Sequence, residues 1–145
     1  MADNKIIYGN TSSVKTSILE RMKEYIDNIY APGSFIPTEI SEMMKEVTID
    51  TNKEVAVFID RKNRVLAMAL GDDRSVPLPE LEGKRSNLRL CGIRCIHTHP
   101  NGGVRPSDVD IQSLKSMRYD AMVVIGVDNK KKIATGVSAT VLTRN

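Results

Sequence analysis

The period of the apolar positions changes several times along the 145-residue chain, and each change marks an element. Lys5-Ile6-Ile7-Tyr8 reads as a short strand ahead of a turn at Gly9-Asn10. Val14, Ile18, Met22, Ile26 and Ile29 then recur at helical spacing, with lysines and glutamates between them. This predicts an amphipathic surface helix running to about Tyr30, capped by Thr11, Ser12 or Ser13 and broken by Ala31-Pro32-Gly33. A second helix is predicted from Pro37-Thr38 to about Val47, burying Ile40, Met43 or Met44, and Val47, with its methionines as core filler. Glu54 to Asp60 is rich in β-branched residues and reads as a strand, which Arg61-Lys62-Asn63 turns back into Arg64 to Leu70. Gly71 to Glu82 carries aspartates and two prolines and reads as a surface excursion holding a short edge strand at Ser75-Val76-Pro77-Leu78. Lys84 to Leu88 reads as loop.

Leu90 to His97 is β-like again, and Ser107 to Met117 is helical, with Ile111, Leu114 and Met117 facing inward. Tyr119 to Val127 is almost continuously apolar, as a strand covered on both faces should be. Asp128-Asn129-Lys130 turns the chain into a last strand, Lys132 to Leu142. The order of two helices, a hairpin, a strand, a helix and two further strands predicts an α/β fold: a mixed β-sheet flanked by helices. Residues 1–145 form one domain, long enough to bury a sizeable core, with no repeat, linker or low-complexity segment.

An apolar fraction of 41% and a charged fraction of 27% are those of an ordinary globular protein, so a disordered or fibrous chain is excluded. With no tryptophan and two phenylalanines, the core must be aliphatic and methionine-rich. The net charge of +3 is too small by itself to imply a nucleic-acid partner. Its distribution is uneven: residues 13–54 hold five basic and eight acidic side chains (net −3), and residues 55–145 hold fifteen and nine (net +6). Basic character gathers at Arg85, Arg89, Arg94, Arg105 and Lys130-Lys131-Lys132, as either a solvated surface or a binding patch. Cys91 and Cys95 lie on one strand about 13 Å apart, too far for a disulfide. They fit buried thiols in a reducing cytoplasm, with Cys95 on the side of His97. No apolar run approaches the roughly 18 residues of a membrane span, and the N-terminus has no signal-peptide pattern. A cytoplasmic protein with no membrane partner is expected.

The chemistry concentrates at His97-Thr98-His99-Pro100, at the end of an apolar run, followed by a glycine-rich loop and Ser107-Asp108-Val109-Asp110. In an extended chain residues i and i+2 face the same side, so both imidazoles can close on one ion. Pro100 offers no N–H to a ladder and stops the strand, and Pro106-Ser107 opens a helix. Asp110 falls in the first helical turn, where the loop can fold it back beside the histidines. Two neutral imidazoles and one carboxylate, with a fourth position open, are the ligand set of a catalytic zinc site. Ser107 and Asp110 also form a near capping box, which alone would explain them. The histidines taken alone could equally be structural.

H-x-H-P followed six residues later by S-x-x-D resembles the JAMM (MPN+) metallopeptidase motif, with His97, His99, Pro100, Ser107 and Asp110 at its positions. The family also carries a glutamate at the start of an upstream strand, which Glu54 matches. The run from Glu54 through Asp60, Asn63, Arg64 and Val65 is similar to the strand pair of bacterial RadC proteins, which share the motif; an association with DNA would follow from that likeness. The resemblance implies the JAMM (cytidine-deaminase-like) architecture. It implies zinc on His97, His99 and Asp110, with Glu54 as general acid–base and Ser107 as a hydrogen-bond donor to the oxyanion. The expected activity is hydrolysis of a peptide, isopeptide or related amide bond in a peptide or protein substrate.

Nearly the whole chain also resembles the N-terminal domain of HflX-type ribosome-associated GTPases. The carrying stretches are Tyr8-Gly9-Asn10-Thr11-Ser12, Ile59 to Val65, Arg94 to His99, and Tyr119-Asp120-Ala121-Met122 with Ile125-Gly126-Val127. No segment fits the phosphate-cradling G-x-x-x-x-G-K-[ST] loop, so GTP hydrolysis by that route is excluded. This second resemblance implies a module contacting the ribosome or its RNA, with a structural or vestigial metal site.

Overall fold

The computed structural model describes residues 5–71, 92–116 and 119–141. Its elements are β1 (Ile7–Gly9), α1 (Thr16–Lys23), α2 (Thr38–Thr51), β2 (Glu54–Asp60), β3 (Val65–Gly71), β4 (Ile93–His99), α3 (Asp108–Ser116), β5 (Ala121–Asp128) and β6 (Ile133–Thr140). The six strands form one mixed sheet in the order β1-β3-β2-β4-β5-β6. β1 runs parallel to β3 and β4 parallel to β5, while the other neighbours are antiparallel. The expected α/β class, a mixed sheet flanked by helices, is the one observed. The edge strand at Ser75–Leu78, the loop at Lys84–Leu88, Cys91 and an inward Met117 lie outside the described residues.

Alternation along the strands divides the core in two. Val55, Val57, Ile59, Met68, Leu70, Ile96, Val123, Ile125 and Val127 face α1 and α2, which contribute Met22, Ile40, Met43, Met44 and Val47. Ala56, Phe58, Ile93, Cys95 and Met122 face the other way and pack with Leu114 of α3 and with Tyr119. β5 is buried along its length until Asp128, as its unbroken apolar run predicts. No helix among the described residues is long and apolar enough to cross a membrane.

The first helix is shorter than its periodicity predicts. It ends at Lys23, not near Tyr30, and Lys15 rather than Thr11, Ser12 or Ser13 stands at its N-cap, with no side-chain cap. Beyond it the backbone is claimed by the hairpin. Asp27 N donates to Val65 O at 2.8 Å, Val65 N to Asn28 O at 3.0 Å and Tyr30 N to Asn63 O at 2.9 Å. Asp27 accordingly has φ 70°, which ends helical geometry. Ile29, expected inside, is 65% exposed because it bridges Arg64 at the hairpin rather than continuing the helical stripe. The second helix instead runs past Val47 to Thr51, where left-handed Asn52 caps it.

Arg94 also departs from expectation. Its side chain belongs to no surface basic patch; it is buried on the α2 side, donating to the carbonyls of Phe35 and Asp60 and to Asn63 Oδ1. Burial pulls the guanidinium below its ordinary pKa, opposed by Asp120 and Asp60. Asn63, itself buried with φ 63°, also donates to the carbonyls of Ala31 and Ser34, both at 2.8 Å. Asn63→Ala would strand these buried partners in a left-handed turn. A loss of about 2–3 kcal/mol is expected, read as a lower urea midpoint at unchanged m-value.

Candidate metal centre

The site forms where the last residues of β4 lie beside the first residues of its antiparallel neighbour β2. β4 extends through His99, two residues beyond its expected end, and both imidazoles project from its α3 face. The β2–β4 register places Ala56 opposite His97. Two residues further along the same register, Glu54 falls beside His99. The strand-to-helix loop after Pro100 then returns Asp110, in the first turn of α3, to the same place.

The resulting geometry is tight. His97 Nε2 lies 3.2 Å from His99 Nε2 and 3.1 Å from Asp110 Oδ2, and His99 Nε2 lies 3.5 Å from that same oxygen. Tetrahedral ligands at 2.0–2.1 Å from a zinc-sized ion are about 3.4 Å apart, so these three atoms span one face of such a polyhedron. Glu54 Oε1 stands 3.5 Å from His99 Nε2, and Glu54, His97 and His99 form a buried group whose ligand atoms all lie within 4.8 Å of one another. The residues present can therefore hold a metal ion. Glu54 adjoins the donors closely enough to ligate the ion or to act on a group bound beside it.

The electrostatics keep a buried carboxylate ionised. Burial alone would raise the Asp110 carboxyl. Hydrogen bonds from His97 and His99, the charge of His97 and the Ser107 N–H outweigh it and hold the group well below the usual carboxylate range. His97 Nδ1 is buried with no hydrogen-bond partner, so its tautomer is governed from the Nε2 side, where the other donors converge. Cys95 lies on the same face as expected, and burial, then Asp110 and Glu54, push its thiol up.

Ser107 and Asp110 are both a capping box and part of the site. Ser107 N donates to Asp110 Oδ2 at 2.8 Å, and Asp110 N donates to Ser107 Oγ at 3.1 Å. Because the Ser107 hydroxyl accepts that bond, its own proton is left to donate elsewhere, as an oxyanion donor requires. The cap thus aims the carboxylate at the histidines.

Some supporting residues went unrecognised in the sequence. The loop after Pro100 is laced to the edge strand: Thr135 Oγ1 donates to Gly102 O at 2.6 Å, and Ser138 Oγ donates to Val104 O. It crosses directly above Gly126, which pairs with His99; a Cβ there would lie 2.3 Å from Thr135 Oγ1 and 2.6 Å from Gly102 O. A lone glycine inside an apolar strand is the available signal, since it marks close approach of another backbone. Arg105 and Lys130 to Lys132 are exposed, as a surface patch needs, whereas Arg85 and Arg89 lie outside the described residues.

Two outcomes are expected. Gly126→Ala should lift the loop off β5 and cost about 1–3 kcal/mol, seen as a lower Tm. The depressed Asp110 pKa stabilises the fold above the unfolded carboxylate value, about 3.9. That contribution falls away as pH drops below about 4 toward the folded pKa, so Asp110→Asn should flatten this acid limb of the urea-stability profile. No family model matches the chain, and neither a curated protein nor a solved structure matches it.

Proposed function

We propose that the protein is a zinc-dependent hydrolase of the JAMM type, acting on a peptide, isopeptide or related amide bond. The observation that carries this reading is the convergence of His97 Nε2, His99 Nε2 and Asp110 Oδ2 at 3.1–3.5 Å, with Glu54 alongside. Imidazole and carboxylate donors suit zinc, and the arrangement of mixed sheet and helices accommodates the JAMM architecture. Bound zinc supplies Lewis acidity and lowers the pKa of a coordinated water from 15.7 toward about 7.

The chain's own residues then have distinct tasks. His97, His99 and Asp110 hold the ion. The Glu54 carboxylate takes a proton from the attacking water and returns it to the departing amine. The Ser107 hydroxyl donates to the carbonyl oxygen as negative charge gathers there. The walls of the site are buried residues, so little bulk water competes for these bonds.

Purified protein should carry near-stoichiometric zinc by atomic emission, and His97→Ala should lose it. Glu54→Gln should keep the metal and lose roughly 100-fold or more in amide hydrolysis. Loss of metal in that variant would make Glu54 a ligand, and full activity would remove the hydrolase reading. A second reading, a ribosome-contacting module of the HflX type, draws on the exposed Lys130-Lys131-Lys132 turn at the same end of the sheet as His99. It requires cosedimentation with ribosomal subunits that weakens as salt rises.

A further inference from the structure

Thr98 stands between the two histidines, yet its side chain points through the sheet, away from them. It is fully buried on the α2 face. Its Oγ1 lies 2.6 Å from Thr48 Oγ1 of α2 and accepts the Val55 N–H at 2.9 Å. Thr48 is also fully buried, and its carbonyl accepts Asn52 N at 2.8 Å and Asn129 Nδ2 at 3.0 Å. One hydroxyl therefore joins the strand that carries both imidazoles, the helix behind the sheet and the residue following Glu54.

The location gives this bond its significance. The paired residues of β2 and β4 run as far as Ala56 opposite His97. At the next position the Val55 N–H is met by the Thr98 side chain, and one residue beyond that come Glu54 and His99, 3.5 Å apart. A strand end is where a backbone frays most readily. Here it must hold a glutamate and a histidine in register to a fraction of an ångström. A buried N–H without an acceptor is costly, so the Thr98 hydroxyl specifies where β2 begins as well as occupying space.

We propose that Thr98 is a positioning residue for the metal centre. Acting through its own backbone, it holds the two flanking imidazoles in place for the ion, and through the Val55 N–H it sets Glu54 beside them. Thr48 anchors the hydroxyl from behind without being required for that alignment. This rests on the metal-site reading above and adds to it a residue that touches neither metal nor substrate.

The test uses the full chain and four variants: Thr98→Val, which keeps the shape and removes the acceptor; Thr98→Ser, which restores it; Thr98→Ala, read instead if the valine protein does not fold; and Thr48→Val, which removes the same hydroxyl pair but leaves Val55 capped. Two readouts are taken: zinc affinity by chelator competition, and amide exchange at Val55 in the metal-free protein. Thr98→Val should weaken zinc about tenfold or more, the range seen when groups that orient ligands are removed, and should speed Val55 exchange. Thr98→Ser should recover both, and Thr48→Val should stay within about threefold of wild type. Unchanged affinity in Thr98→Val overturns the proposal while leaving the metal site intact. An equal loss in Thr48→Val also overturns it, since the effect would then be general loosening of α2. Failure of the wild-type protein to bind zinc removes the metal-site reading itself, and this inference with it.

Discussion

Everything at the functional end of this molecule follows from placing two imidazole nitrogens and a carboxylate oxygen within 3.1–3.5 Å of one another in a site screened from solvent. Burying such a cluster is tolerated because its members hydrogen-bond to one another and the carboxylate also accepts the Ser107 N–H. The fold supplies the compression from three directions. β4 presents His97 and His99 on one face because strand side chains alternate. The antiparallel neighbour β2 begins where β4 ends, which brings in Glu54. The parallel neighbour β5 forces the chain to cross over between β4 and β5, and the first turn of that crossover's helix carries Asp110. A wholly antiparallel arrangement joined by tight turns would have no helix start at this place to donate a carboxylate.

The sheet also separates duties. Its α1–α2 face holds most of the large aliphatic core, with Arg94 buried on the same side, whereas its α3 face carries the two histidines and Asp110. Thr98 is the point where the two faces communicate. The opposite end of the sheet has its own charged closure, with Arg61 Nε and Nη2 on Asp120 Oδ2 and Oδ1 at 2.8 and 2.9 Å. There a guanidinium already matches the carboxylate, so that end needs no further cation.

Much of this was legible in the sequence because it rests on local periodicity. The span of β2, the apolar face of α2, the doubly covered β5 and the common side of His97, His99 and Cys95 all follow from spacings of two or three to four residues. What was not legible depended on partners distant in sequence. Residues 24–30 keep a helical apolar stripe, yet their backbone bonds to the β2–β3 hairpin, and no local rule reports that competition. Arg94 reads as surface charge until Asn63 and two carbonyls from separate segments converge on it. Thr98 and Thr48 are fifty residues apart, and neither looks unusual by itself. Ser107 and Asp110 were ambiguous between cap and ligand because the same two bonds serve both purposes.

The lacing of the 101–104 loop to β6 has a mechanical consequence. β6 is an edge strand of the sheet, with Ile133 and Val137 at least half exposed, and among the described residues nothing pairs with its outer side. The segment that leads into Asp110 is thus moored to the least protected rib of the molecule, while the histidines are bolted to its centre. Peeling that rib would slacken the mouth of the site and the carboxylate it leads to while sparing the nitrogen pair, so the two halves of the cluster can yield independently under thermal agitation.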